Sequence, residues 1–367
     1  MRTRWRSVLV LAIFAASAAA EAGAADKDFP LAVQAAITKA KAEGKLQLTT
    51  PPNVLGGGDG TKLIEDGIER MFGVTLAIGW APSGSMGQLA SKLYEEYRAG
   101  APSSSDVVAL AAVQIMPYLD KGLFLKVDWP SLMPDRITPA IVEGDGQALR
   151  VNSSFTSILY NPRVAPWVKD IDMMADALKP EYKGKYATTV FLAGFDVLLA
   201  KDVWGIDKTT DYVRAMVPQL NGLMHCDSED RVASGETGAV ILDCTGAAPN
   251  RAKFRGQGVL ASKIVRDAAH RRYYYMLVTA NAAHPNAAVL YALYLSSPEG
   301  QRTVMWDLDG NDLDSYPESQ NGKRVKALAD SGVKFLDVTL DWWRKEQSPE
   351  LAAAQKTIIK LIERLPQ

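Results

Sequence analysis

The sequence predicts an α/β fold in two lobes, and three observations carry that prediction. Strand-like and helix-like segments alternate along the chain, the pattern of helices layered on largely parallel sheets. The chain has 367 residues, more than one hydrophobic core usually serves. Two extended stretches, 147–160 and 272–281, bracket a middle region with its own alternation, as if one domain were inserted into another.

The elements follow in order. Residues 29–43 form an amphipathic helix that stops at Gly44. Lys45 to Thr50 alternates as a strand and runs into the turn-rich Pro51-Pro52-Asn53 and Gly56-Gly57-Gly58-Asp59-Gly60. Residues 62–71 resume helical spacing, 74–80 read as a strand, 84–98 as a helix and 106–111 as a third strand. That is a doubly wound beginning. The middle region offers a strand at 186–192, a helix at 209–220 and a strand-helix-strand unit over 222–244. A helix at 285–295 follows, and the chain is mostly helical from there to its amphipathic end at 352–365. There is no internal repeat.

The N-terminus reads as a secretory signal. Arg2, Arg4 and Arg6 precede the uncharged apolar run Val8 to Ala20, and small residues end at Ala24. The run is too short to cross about 30 Å of hydrocarbon comfortably. Cleavage after Ala24 would remove three Arg and one Glu, leaving 343 residues and taking the formal charge from −1 to −3. Such a chain lacks the basic excess of a nucleic-acid binder. Periplasmic localisation is therefore expected, and with it an oxidising environment for the two cysteines, Cys226 and Cys244. If both lie at the carboxyl ends of neighbouring parallel strands, about 4.8 Å apart, a disulfide is within reach; a pair of buried free thiols is the alternative. The scattered His225, His270 and His284 show no zinc-ligand spacing, and no metal or cofactor is expected.

Several short segments resemble a known family in the right order. They include Ala40-Lys-Ala-Glu-Gly-Lys45, Phe72-Gly-Val-Thr-Leu76, Ser83-Gly-Ser85, Ser105-Asp-Val-Val108 and Asp120-Lys-Gly-Leu123. In the middle region come Leu178-Lys-Pro-Glu-Tyr-Lys-Gly-Lys185 and Ala233-Ser-Gly-Glu-Thr-Gly238, then His284-Pro-Asn-Ala-Ala288 with Leu295-Ser-Ser-Pro-Glu-Gly-Gln301. Together they resemble the type II periplasmic solute-binding proteins of the ferric-ion and polyamine group, from about residue 35 to about residue 305. The resemblance implies two doubly wound α/β lobes joined by two extended crossover strands, with a ligand cleft between them. It divides the chain into a signal peptide (1–24), a discontinuous first lobe (25–155 and 280–367) and a second lobe (156–279). It implies a monomer that delivers a small-molecule ligand to an ABC-transporter membrane permease.

Open parallel sheets bind ligands outside the carboxyl ends of their strands. In the first lobe that rule selects Thr49, Thr50 and Asn53, then Ser83, Gly84 and Ser85. Ser83-Gly-Ser85 opens a helix whose free N–H groups suit a carboxylate or phosphate, although either serine also suits a plain helix cap. In the second lobe the rule selects Phe195 and Asp196, then Asp243 and Thr245. Tyr160 ends the first crossing. Of Tyr273-Tyr-Tyr275, either Tyr274 or its two neighbours can face a ligand, because strand side chains alternate. The expected ligand is a small polar, anionic organic solute or oxyanion.

Two alternatives compete. The family's iron carriers use an adjacent tyrosine pair with His and carboxylate ligands. Those positions fall here near Cys244-Thr245, Asn53 and Ala111, neutral groups unsuited to iron(III). An exported enzyme with Cys244 as nucleophile would need an activating base, and no G-x-S-x-G or H-E-x-x-H motif is present. A binding protein with no catalytic residues is the favoured expectation. Asn152-Ser-Ser154 also fits a glycosylation acceptor.

Overall fold

The computed structural model describes residues 29–52 and 54–363; the expected signal peptide and Asn53 lie outside the described residues. In chain order the strands are β1 (Lys45–Thr50), β2 (Ala77–Pro82), β3 (Val107–Ala111), β4 (Val142–Glu143), β5 (Ala148–Ser154) and β6 (Ile158–Tyr160). There follow β7 (Tyr186–Thr189), β8 (Leu223–Met224), β9 (Ala239–Ile241), β10 (Ala261–Lys263), β11 (His270–Val278) and β12 (Leu336–Val338). One sheet has seven strands in the order β2-β1-β3-β11-β5-β4, with β12 paired to the start of β11. The other has five, β10-β6-β9-β7-β8. In the first sheet β1 is parallel to β2 and β3, and β11 runs antiparallel between β3 and β5. In the second, β7 lies parallel to both β8 and β9.

The chain passes between the sheets at 155–157 and again at 264–269. The first stretch expected to be continuous, 147–160, is thus two strands in different sheets. The second crossing lies upstream of the expected 272–281. Tyr275 to Val278 are buried throughout, which makes β11 an interior strand of the first sheet instead of a free connector. The second lobe drawn as 156–279 therefore contains a strand of the first sheet. At the other end, the helix Pro349–Ile362, placed with the first lobe, packs on Gly205–Met216 of the second, burying Leu351, Ala354, Ile358 and Ile362.

Around the first sheet, the helices Leu31–Glu43 and Gly57–Phe72 pack on Pro285–Ser296, an almost wholly buried helix with apolar residues on every side. A Cβ on Gly67 would lie 2.0 Å from the Tyr294 ring, so only glycine permits that approach. The helix Gly57–Phe72 begins inside the glycine run expected as a turn. Those glycines serve close packing, since a Cβ at Gly60 would meet the Leu55 carbonyl oxygen at 2.1 Å.

Two of the recognised segments meet in one knot. Asp106 accepts hydrogen bonds from the backbone N–H groups of Gln47 (2.7 Å), Ala283 (2.8 Å) and His284 (3.1 Å). Its other contact is His284 Nδ1, at 2.8 Å. The knot ties β1 and β3 to the start of the helix Pro285–Ser296. These residues hold the fold together, and none lines the cleft.

Candidate functional site

A cavity of about 490 Å³ lies between the sheets. Its floor comes from the strands. Asn152 and Ser154 of β5 stand beside Tyr274 and Arg272 of β11, the registered partners being Arg272 with Ser154 and Tyr274 with Asn152. Alternation along β11 turns Arg272, Tyr274 and Met276 to the cavity. Tyr273 turns the other way and packs under the Arg150 guanidinium at 4.0 Å, and Tyr275 donates to Glu143 at 2.8 Å. The walls come from loops. The first-sheet side supplies Pro51, Pro52, Val54, Leu55, Met86 and Val113; the second supplies Val190, Phe191 and Leu192.

Arg272 crosses the cleft. Its Nη2 lies 2.6 Å from Asp196 Oδ2, and both side chains are largely buried. A second guanidinium, Arg251, is held by Glu229 at 3.1 and 3.2 Å and donates to the Asp309 carbonyl oxygen at 3.5 Å. The Asp309 carboxylate accepts from Leu55 N at 2.9 Å and Asn152 Nδ2 at 3.2 Å. Burial raises its pKa. Burial likewise raises that of the Tyr274 hydroxyl. Further bonds join the same region across the lobes: Asn311 Nδ2 donates to Thr245 O at 3.1 Å and Asn250 Nδ2 to Gly310 O at 2.8 Å.

The expected residues divide. Gly84, Ser85, Asp196, Thr245 and Tyr274 line the cavity. Ser85 also caps the helix Met86–Arg98, accepting from Gln88 N at 3.2 Å. The other described ones are not among its lining residues. Thr49 N bonds Ser105 Oγ at 2.8 Å, and Thr50 Oγ1 accepts from Trp80 Nε1 at 2.9 Å. Both hydroxyl residues are spent on holding the sheet while the proline loop beyond them forms the wall. The Ser83 hydroxyl is buried without a partner among the described residues and is not part of the cavity lining. Tyr160 is buried within β6, and Phe195 is fully buried against Tyr212. Asp243 accepts from Ser157 N and Oγ, both at 2.8 Å, and from Gly246 N at 2.9 Å. It fixes the first crossing instead of facing solute. Asn152, the suggested glycosylation acceptor, is 3% exposed and serves the floor.

Cys226 and Cys244 form a disulfide with Cα atoms 5.7 Å apart, and both line the cavity. They do not follow neighbouring strands. β7 lies between β8 and β9, and the chain beyond each strand end curls over β7 to close the bridge. The bridge occupies the Cys244 thiol, so the nucleophile alternative has no free sulfur. Among the described residues no cluster of three or more His, Cys, Asp or Glu could hold a metal ion.

Arg272, Asn152, Asp309 and Arg251 line the cavity outside the residues the sequence singles out for a ligand. Arg272 was within reach: once Tyr274 faces the cleft, strand alternation brings Arg272 with it. Asp309 and Arg251 arrive through tertiary contacts that leave no local pattern.

Two α/β lobes with a solute-sized cavity between them show the type II fold of the periplasmic binding proteins. The chain belongs to the bacterial extracellular solute-binding protein family, a family of binding proteins whose model matches residues 68–331. By sequence, no curated protein matches the chain. Solved structures share the fold at low identity. Iron-bound HitA from Pseudomonas aeruginosa is 16% identical with a TM-score of 0.63, over 86% of this chain and 99% of that one. AfuA from Actinobacillus pleuropneumoniae, with exogenous fructose-6-phosphate bound, is 16% identical with a TM-score of 0.64, over 88% and 99%. A putative spermidine/putrescine ABC transporter protein from Listeria monocytogenes is 12% identical with a TM-score of 0.63, over 88% and 99%.

Proposed function

We propose that the protein, exported to the periplasm, captures a small organic solute in this cleft as a monomer and delivers it to an ABC-transporter permease by hinge closure. The carrying observation is the cavity itself: loops from both lobes wall it, and the Arg272–Asp196 pair spans it. A solute touching both walls stabilises the closed state by contacts the open state lacks. Its acid group would be received by Arg272 and by the first-turn N–H groups of the helix Met86–Arg98. Binding as an iron carrier is less supported, because Tyr274 alone of the tyrosines lines the cavity and burial resists its ionisation, whereas iron(III) wants anionic oxygens. Small-angle scattering tests the reading, with a solute recovered by native mass spectrometry from protein purified out of its host. Compaction at saturation is expected; superimposable profiles with and without solute would overturn it.

A further inference from the structure

We infer that the solute is an amphipathic zwitterion of the α-amino-acid type, with its ammonium group against Asn152 and Asp309 and its apolar side chain between the loop walls. This rests on the capture reading and asks more of the same cavity. Asn152 is 3% exposed, and its Oδ1 accepts no hydrogen bond among the described residues. Its Nδ2 is already committed to Asp309 Oδ2 at 3.2 Å. A buried amide oxygen left without a donor is costly, and a ligand N–H supplies one. Asp309 stands beside it on the cavity wall, deep enough that burial disfavours its charged form. An ammonium group placed there satisfies the amide oxygen and offsets the carboxylate's charge together.

The acid group has its own receptor. Asp196 engages two nitrogens of the Arg272 guanidinium, a group with five N–H donors in all, so donors remain for a ligand. Charges of both signs line the wall, Arg272 and Arg251 against Asp196, Asp227 and Asp309, with Glu229 paired behind Arg251. A solute that carries both an acid and an ammonium group finds an opposite charge for each on such a wall; a bare anion or cation uses only one set.

Size and apolar lining settle the rest. A volume of about 490 Å³ falls among cavities that enclose organic ligands, roughly 300–1,000 Å³, and a phosphate ion would leave most of it unfilled. Phe191 stands at the lip 42% exposed, edge-on to His225 at 5.7 Å. With Val54, Met86 and Leu192 it offers an apolar surface that an aromatic or branched side chain would cover.

Calorimetry and thermal-shift measurements on the mature protein test this with L-phenylalanine, L-leucine, hydrocinnamate (no ammonium), 2-phenylethylamine (no carboxylate) and inorganic phosphate. An amino acid should bind at least about 10-fold more tightly than either one-headed analogue, the scale of one lost charged hydrogen bond. Asp309→Asn should narrow the gap between phenylalanine and hydrocinnamate. Phe191→Ala should weaken phenylalanine while leaving the melting temperature of the unliganded protein unchanged. If D309N does not melt cooperatively, the analogues on the unaltered protein decide alone. Hydrocinnamate, phenylethylamine or phosphate binding as tightly as the amino acids would overturn the inference. So would a solute of another class, recovered from the protein, that compacts it; capture would then stand. Failure of every recovered and tested solute to compact the protein would instead bring down the capture reading.

Discussion

Arg272 Nη2 lies 2.6 Å from Asp196 Oδ2, and the two residues reach each other from different sheets across the cleft. Such a pair is worth less than its breakage costs, because removing one partner strands a charge in a dry setting. Asp196→Ala should therefore lower the unfolding free energy by about 3 kcal/mol in urea titrations. The double variant R272M/D196L should lose less than that single change. A double loss as large as the single one would mean that a stranded charge is not what the single change costs.

The disulfide closes a loop with a sequence separation of 18. Chain entropy in the unfolded state then predicts a loss of about 3 kcal/mol for the Cys226→Ser/Cys244→Ser double variant. Because both cysteines form cavity wall, solute affinity should fall as well. Urea unfolding and calorimetry on the same preparation read the two effects separately.

Asp106 accepts three backbone N–H groups and touches His284 Nδ1. Asp106→Ala would leave donors on two separate segments, the buried His284 N–H among them, without an acceptor. Each costs about 1–3 kcal/mol, so a loss of about 3 kcal/mol or more is expected. The variant's melting temperature should drop steeply, or the protein should fail to accumulate.

His270 sits where the second crossing enters β11 and shares a hydrogen bond with Thr156 of the first crossing. Burial pushes its pKa down from 6.5 to about 3. The unfolded chain therefore binds a proton here below pH 6.5 that the folded chain refuses. Stability from this site is full above pH 6.5 and is lost progressively as pH falls toward 3, at about 1.4 kcal/mol per pH unit. At pH 5 the loss should be roughly 2 kcal/mol. Unfolding free energies at pH 7.5 and 5 should diverge less in His270→Gln than in the unaltered protein.

The fold was largely legible because its signals are local. The strand at Lys45 to Thr50, the αL stop at Gly44 (φ 65°) and the helix Pro285–Ser296 all follow from residues adjacent in sequence. The crossings were misplaced for an equally physical reason. A buried interior strand and an extended connector look alike in sequence, so β11 reads there as the second. The site was only half legible. Strand-end logic reaches Ser85, Asp196 and Thr245, and alternation offers Tyr274 as one of two choices, all lining the cavity; the same strand-end logic also picks Thr50 and Asp243, whose polar atoms are consumed inside the fold.

The sequence by itself determined the alternation of helices and strands, the two-lobed plan and the chemistry available at the strand ends. Patterning and turn residues act over a few positions, so they can be read without the fold. Only the tertiary structure decided which polar groups were left for a solute. Whether a hydroxyl or carboxylate is free depends on partners far along the chain. Asn152 and Asp309, 157 residues apart, become one surface only when β5 and the segment before Gly310 meet over the cleft.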